Sequence, residues 1–274
     1  MKLTERETHF EFGANWRDYA KTVDQASIES SMLGLKKLFP DGLSGKSFLD
    51  IGCGSGLHAV AALSLGAASV AAIDIDETSV STTRELLSKY VPDADWSANI
   101  ASVFDLPEEK PGAFDIVYSW GVLHHTGEMW RAIESAAKLV KPNGQLAIAI
   151  YAKTPFDRFW KIEKRIYSGS PKVAQWIIRQ GYLAALFTAY TISGRNPLAL
   201  ASKANVRGMN FRNDAHDWLG GFPYETAGAD ELRDRICAIG FAEERSFLVA
   251  PKLMGAFGSG CSEFVFRRTA PSSI

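Results

Sequence analysis

A chain of 274 residues, 46% hydrophobic and 22% charged, has material for one large globular domain or one domain with a substantial insertion. Its net charge of −1 excludes a whole-molecule bias toward nucleic acid or membrane, and no stretch holds the roughly 18 uninterrupted apolar residues of a spanning helix. Cys53, Cys237 and Cys261 are widely spaced with no CxxC pair, which argues against a disulfide framework or zinc site and suits a reducing cytoplasm.

The opening MKLTERETHFEF lacks the apolar core of a signal peptide. Residues 1–40 read as helical and carry Phe10, Phe12, Trp16 and Tyr19, of which the last two sit three apart on one helix face. From Phe48 the pattern becomes strand, turn, helix, strand: FLDI, then LHAVAALSLGA, then SVAAIDID. Asp76 starts the next helix, ETSVSTTRELLSKY, as its cap, and a short strand follows near Trp96. FDIVYSWGVL is another buried strand, MWRAIESAAKLV a helix, and KPNGQLAIAIYA a turn feeding a strand. This alternation predicts a parallel sheet covered on both faces. ADELRDRICAIGF reads as a helix closed by Gly240, and ERSFLVAP and CSEFVFRR as an antiparallel strand pair at one sheet edge.

The middle segment stands apart. Residues 153–212 hold eleven Lys and Arg against only Asp157 and Glu163, a net +9 that leaves −10 for the remainder. With the helical patterns FDRFWKIEKRIY and VAQWIIRQGYLAALFTAY, it is too long for an ordinary connection. It reads as a basic helical cap over 153–225, inserted between an α/β domain of 45–152 and 226–274, with 1–44 as an N-terminal helical segment.

Asp50-Ile51-Gly52-Cys53-Gly54-Ser55-Gly56 follows a strand and opens a helix, and Asp74 ends the next strand. Glycines there let a ligand lie against the main chain, and an acid at that strand end can accept from both ribose hydroxyls of a nucleoside cofactor. Residues 52–57 read GCGSGL and lack the last glycine of a dinucleotide fingerprint. A pyrophosphate also wants bare helix amides, whereas Asp50 puts an anion beside the bend. An acid suits a cation, such as a sulfonium bearing an ammonium, which favours S-adenosylmethionine over NAD.

With those motifs in order, residues 48–151 resemble the class I S-adenosylmethionine-dependent methyltransferases of small-molecule type. The resemblance implies a Rossmann-like α/β fold: a seven-stranded, mostly parallel sheet with its last strand antiparallel and helices on both faces. LDIGCGSG corresponds to the first motif, whose backbone (Gly52, Cys53, Gly54, Gly56) contacts the methionine and ribose parts. AIDID supplies Asp74 as the ribose acid, with Ile75 after it. ASVFDLP stands at the adenine edge, with Ser102 in place of the usual acid, its hydroxyl and the Val103 backbone replacing that contact. In FDIVYSWGVLHH, Ser119 and Trp120 face the methionine part. FEFGANWRDY resembles N-terminal segments that fold over the cofactor, so Trp16 and Tyr19 either pack on the sheet or close the cofactor site.

His124 and His125 follow the fourth strand at the edge where open α/β sheets bind ligands. Each is either a base for an acceptor hydroxyl or a shaper of the pocket. Tyr151 ends the fifth strand at the same edge, and residues 210–225 read as a substrate-contacting loop in which His216 and Asp217 are a possible acid/base pair or plain loop residues. No metal-ligand set is apparent. The expectation is a cytoplasmic enzyme that converts S-adenosylmethionine to S-adenosylhomocysteine while methylating an oxygen of a small or lipophilic acceptor. A phosphate- or carboxylate-bearing or lipid-linked acceptor, or contact with an anionic membrane surface at the inner face of the membrane, accommodates the +9 cap. RNA methylation through the same charges and a non-catalytic cofactor-binding protein are the alternatives.

Overall fold

Phe48 on one face and Leu49 and Ile51 on the other demand cover on both sides of the sheet, and the fold supplies it. The computed structural model describes residues 12–106, 112–194, 196, 211–250 and 255–269. Strand β1 (Ser47–Ile51) is an interior strand of a seven-stranded sheet with β2 (Ser69–Asp74), β3 (Trp96–Ile100), β4 (Phe114–Trp120), β5 (Val140–Tyr151), β6 (Phe241–Phe247) and β7 (Cys261–Arg268). Their spatial order is β3-β2-β1-β4-β5-β7-β6. Neighbours from β3 to β5 pair in parallel, while β7 runs antiparallel to both β5 and β6. The chain begins at β1, winds outward through β2 and β3, then reverses through β4. That makes the carboxyl ends of β1 and β4 the switch point where ligands enter such sheets.

One face of the sheet is covered by α2 (Gln25–Leu38), α3 (Leu57–Ser64) and α4 (Glu77–Tyr90), which bury Leu35, Val60 and Leu87 against Phe48 and Tyr118. The other face packs Leu49, Leu146 and Phe266 under α5 (Met129–Lys138) and the last helix, Ala229–Ala238. Asp76 caps α4 as expected, its Oδ1 accepting the Ser79 amide at 2.8 Å. Asn143 adopts φ 62°, which turns the chain before the long strand segment of β5. β6 begins at Phe241, so LVAP lies outside it, a shift set by pairing with β7 from Phe241↔Arg268 to Phe247↔Glu263.

Between β5 and the last helix stands the cap: α6 (Asp157–Ser168), α7 (Lys172–Ile192) and α8 (Phe211–Gly220), packed on one another. Its core is Trp160, Tyr167, Leu219 and Tyr224. The reading of 210–225 as a loop is corrected here. Ala215 and Leu219, one turn apart, are buried under the cap, and that packing overrides the helix-poor Asn213, Asp214 and Gly220. The last helix is therefore α9 (Ala229–Ala238). The N-terminal helix α1 (Phe12–Ala20) lies on α4 and also touches α8, so it bridges domain and cap. Phe10 and the cap residues at 195 and 197–210 fall outside the described residues.

Gly56 shows how tightly the first turn is set. Its φ is +82°, and a Cβ there would stand 2.9 Å from both Cα and Cγ2 of Thr83. Gly56→Ala is expected to destabilise the fold by about 2–3 kcal/mol, read by denaturant unfolding. An unchanged midpoint would show that α3 and α4 are not locked together at this point.

Candidate active site

The bend after β1 is built from three left-handed glycines, Gly52, Gly54 and Gly56, at φ 75°, 52° and 82°. Its amides are engaged within the fold. Gly52 and Cys53 both donate to the Ile73 carbonyl at 2.8 and 3.0 Å, and Gly56 donates to the Cys53 carbonyl at 2.8 Å. Gly54 donates to Asp74 Oδ2 at 3.1 Å. A phosphate-binding turn needs such N–H groups pointing at its ligand; these four point elsewhere.

In their place the bend presents negative charge. Asp50 is 3% exposed, and its Oδ2 is buried with no hydrogen-bond partner. Burial, and then the neighbouring Asp74, push its pKa up to about 7. Asp74 accepts the Asp76 amide at 3.0 Å as well as Gly54, yet burial still lifts it to about 6. Burial and both acids hold the Cys53 thiol protonated, and its sulfur accepts from Thr83 Oγ1 at 3.2 Å. A dry site with two carboxylates attracts a cation and repels a pyrophosphate.

The residues around the bend fall into two groups. Trp16 covers it: a Cβ on Gly54 would lie 3.0–3.2 Å from the indole. Tyr19 meets Trp16 edge-on at 6.0 Å but is only 2% exposed, within the core cluster. Half-buried Ile75 follows Asp74, and the Ser102–Val103 turn is tied to the same strand end by the Ala101 amide on the Asp74 carbonyl at 3.0 Å. Ser102 Oγ accepts the Phe104 amide at 3.2 Å and Val103 is buried. Ser119 and Trp120 serve the sheet. Ser119 Oγ donates to the Ile51 carbonyl at 3.1 Å, fully buried, and the Trp120 indole N–H donates to Glu263 Oε1 at 2.9 Å.

Beyond β4 the chain forms a 3-10 turn, Leu123–His125, against Tyr151 at the end of β5. The Glu225 amide holds this turn through the His124 carbonyl at 3.1 Å. His124 is fully buried and stacks on Tyr151 at 3.9 Å; burial, then His125 and Lys164, keep it neutral, well below the usual histidine range. His125 differs. Its Nδ1 lies 2.7 Å from the Pro223 carbonyl, which can only accept, so Nδ1 carries the hydrogen and Nε2 is the basic nitrogen.

Tyr151 continues into an aromatic box with Trp218 at 5.2 Å and Tyr224 at 5.5 Å, and Trp160 meets Trp218 at 5.2 Å. Sequence reasoning did not find this box, nor the Lys164 inside it. The Lys164 ammonium donates to the Trp218 carbonyl and lies 3.6 Å over the Trp218 ring. Burial pulls its pKa down, and burial raises that of Glu163 beside it. The available signal was the spacing Trp160, Lys164, Tyr167, a buried stripe that includes a lysine. His216 and Asp217 are not part of the box arrangement as an acid/base pair. His216 is on α8 with its Nδ1 2.7 Å from the Tyr167 hydroxyl, toward the outer side of the cap. Among the described residues no three His, Cys, Asp or Glu side chains group as metal ligands.

Residues 49–148 match the family described as "Methyltransferase domain". Residues 49–148 form a methyltransferase domain of the class I S-adenosylmethionine-dependent type. The chain is 36% identical over 113 residues to a ubiquinone biosynthesis O-methyltransferase of Neisseria meningitidis, covering 41% of this chain and 47% of that one. It is 30% identical over 154 residues to a tRNA U34 carboxymethyltransferase of Methylococcus capsulatus, covering 52% and 46%. The chain thus spans about half the length of these curated relatives. Magnesium protoporphyrin IX methyltransferase of Synechocystis PCC 6803, solved with S-adenosylhomocysteine, superposes with a TM-score of 0.52 at 17% identity, over 88% of this chain and 81% of that one, a likeness of fold.

The residues of this domain fit the family's cofactor, S-adenosylmethionine. The orphaned buried oxygen of Asp50 suits its cationic end, and Asp74, with both oxygens at the β2 terminus, suits the ribose hydroxyls. Ser102 and Val103 stand next to Asp74 for the adenine edge, under a site that Trp16 covers. Asp74→Ala is expected to weaken cofactor binding by about tenfold to a hundredfold, from loss of charge-assisted bonds worth about 1.5–3 kcal/mol. Calorimetry on the folded variant measures this, and native affinity would remove Asp74 from the site.

Proposed function

We propose that the protein transfers a methyl group to an oxygen of a small, lipophilic acceptor held between the β4–β5 edge and the cap. When bound, S-adenosylmethionine supplies an electrophilic methyl group on a sulfonium. The chain's own residues position and deprotonate the acceptor. Half-buried Tyr151 and Trp218 offer aromatic faces to a ring at the edge of the box, and α1 and the cap shield it from water. His125, its Nδ1–H fixed on Pro223, presents Nε2 for the acceptor's hydroxyl proton. His124, dry and neutral, packs behind it.

The observation that carries this reading is the opposition of two fields. The buried, unpaired oxygen of Asp50 is on β1, and the aromatic box with one basic imidazole follows β4 and β5 on the other side of the switch point. The relative that methylates oxygen in ubiquinone biosynthesis supports the choice of atom. Incubation with radiolabelled methyl donor and small-molecule fractions, followed by mass identification of the product, tests it. A labelled phenol or enol oxygen is the expected outcome, and label on carbon or nitrogen only would overturn it.

A second reading, RNA methylation, is favoured by the +9 of residues 153–212 and by the tRNA-acting relative. It predicts RNA binding that weakens steeply between about 50 and 200 mM salt.

A further inference from the structure

Among the described residues, Arg158, Lys161, Arg165, Lys172 and Arg179 of the cap form no ion pair. The two acids between residues 153 and 194 are both turned inward: Asp157 accepts from Thr154 and Thr226, and both oxygens of Glu163 are buried. Outward from α6 point Arg158, Lys161 and Arg165, interleaved with Phe159, Ile162 and Ile166, which are 57–62% exposed. On α7 the apolar stripe continues through Val173, Trp176 and Ile177, 56–72% exposed. Single exposed hydrophobes need no explanation, but six large ones on two adjoining helices do.

Where the two helices meet is a depression of about 290 Å³, lined by Tyr167, Lys172, Gln175, Trp176, Arg179 and His216. None of its lining residues is acidic. The Nε–H of Arg179 is buried without a hydrogen-bond partner, a costly arrangement unless an acceptor arrives. Tyr167 and His216 are already joined at 2.7 Å, which fixes one wall. Guanidinium, ammonium and imidazole around one small space are the chemistry of a phosphoryl group.

We propose that the cap seats on an anionic phospholipid surface, with a headgroup phosphate in the Arg179–Lys172 depression and the Phe159–Ile177 stripe bedded at the acyl boundary. Charge and apolarity decide between occupants. A second copy of the chain would set like charge against like. Nucleic acid would use the cations and leave Ile162, Ile166, Val173 and Ile177 in water. An anionic bilayer uses both, and cationic helices with one apolar face lie in that interface. Among the described residues no helix is long and apolar enough to cross, so the contact is on the surface.

The test is co-sedimentation of the full chain with phosphatidylcholine vesicles, with and without phosphatidylglycerol, at fixed salt. The expected result is binding only to the phosphatidylglycerol vesicles. Lys172→Gln and Arg179→Gln should each lower it about fivefold, and Trp176→Ser with Ile177→Ser by more than tenfold. Unchanged cofactor affinity in each variant shows that it is folded, and because all four sites are outside the cofactor bend, failure here leaves the methyltransferase reading standing. Equal binding to both vesicle types, or full binding by all variants, overturns the proposal. So does calorimetric binding of inorganic phosphate, lost in Arg179→Gln, without vesicle binding, which assigns the depression to a soluble phosphate. Binding of an RNA oligonucleotide at a salt where the vesicles are ignored overturns it as well.

Discussion

Asp50→Asn is expected to stabilise the ligand-free protein and nearly abolish its cofactor binding. The folded pKa of about 7 for Asp50 and about 6 for Asp74 both lie above the ordinary 3.8. Between about pH 4 and 7 the folded chain therefore holds more protons than the unfolded one. The stability these groups permit is complete below that window and is lost as pH rises through it. At pH 7.5 the carboxylate of Asp50 sits ionised in a dry site, with an oxygen that nothing in the chain satisfies. The amide keeps its shape and sheds the charge. A gain on the order of 2 kcal/mol is expected, several degrees in melting temperature, and the variant should lose the Asp50 share of the pH slope between 4 and 7 while Asp74 and Glu163 keep theirs. Cofactor affinity should fall about a hundredfold, roughly 3 kcal/mol, because a buried cation loses its counter-charge. For the wild type, affinity should rise with pH over the same window, since only the ionised acids attract a cation. Melting curves and calorimetry from pH 5 to 8 measure both. A variant that melts no higher and binds as well as wild type would mean that Asp50 is a structural acid.

That opposition between stability and binding explains which parts of the site were legible in the sequence. Asp50, the glycines and Asp74 belong to one strand–turn–helix–strand unit, where spacing alone fixes position. The engagement of the Gly52, Cys53 and Gly54 amides was not legible, because their acceptors are the Ile73 carbonyl and Asp74, on a strand that pairs with β1 only in the folded sheet. Ser119 and Trp120 show the same limit. The strand was read correctly, but whether a side chain faces the ligand or braces its neighbours depends on Ile51 and Glu263, the latter 143 residues further on. The helix α8 was missed because Gly, Asn and Asp dominate its local propensity, while its burial comes from α6 and α7. Lys164 violates the polar–apolar pattern that makes α6 readable at all. A lysine on a buried stripe is the kind of local inconsistency that marks a site rather than a core.

His125→Asn should separate turnover from binding. The asparagine amide can donate to the Pro223 carbonyl, as the Nδ1–H of His125 does at 2.7 Å, so the turn at Leu123–His125 is kept while the basic Nε2 is removed. Turnover of an acceptor that wild type labels should drop by about 10²–10⁴, the range of one positioned base. Cofactor affinity should stay within about twofold, because His125 lies across the switch point from Asp50 and Asp74. His124→Phe is the control: it keeps the ring that stacks on Tyr151 and replaces an imidazole already held neutral by burial. Its turnover should remain within about tenfold of wild type. If both variants keep full turnover, proximity of the acceptor to the methyl donor alone carries the reaction, as an already ionised phenol would allow. If only His124→Phe loses it, the imidazole stacked on Tyr151 is the base, and burial must be relieved when the acceptor enters the box.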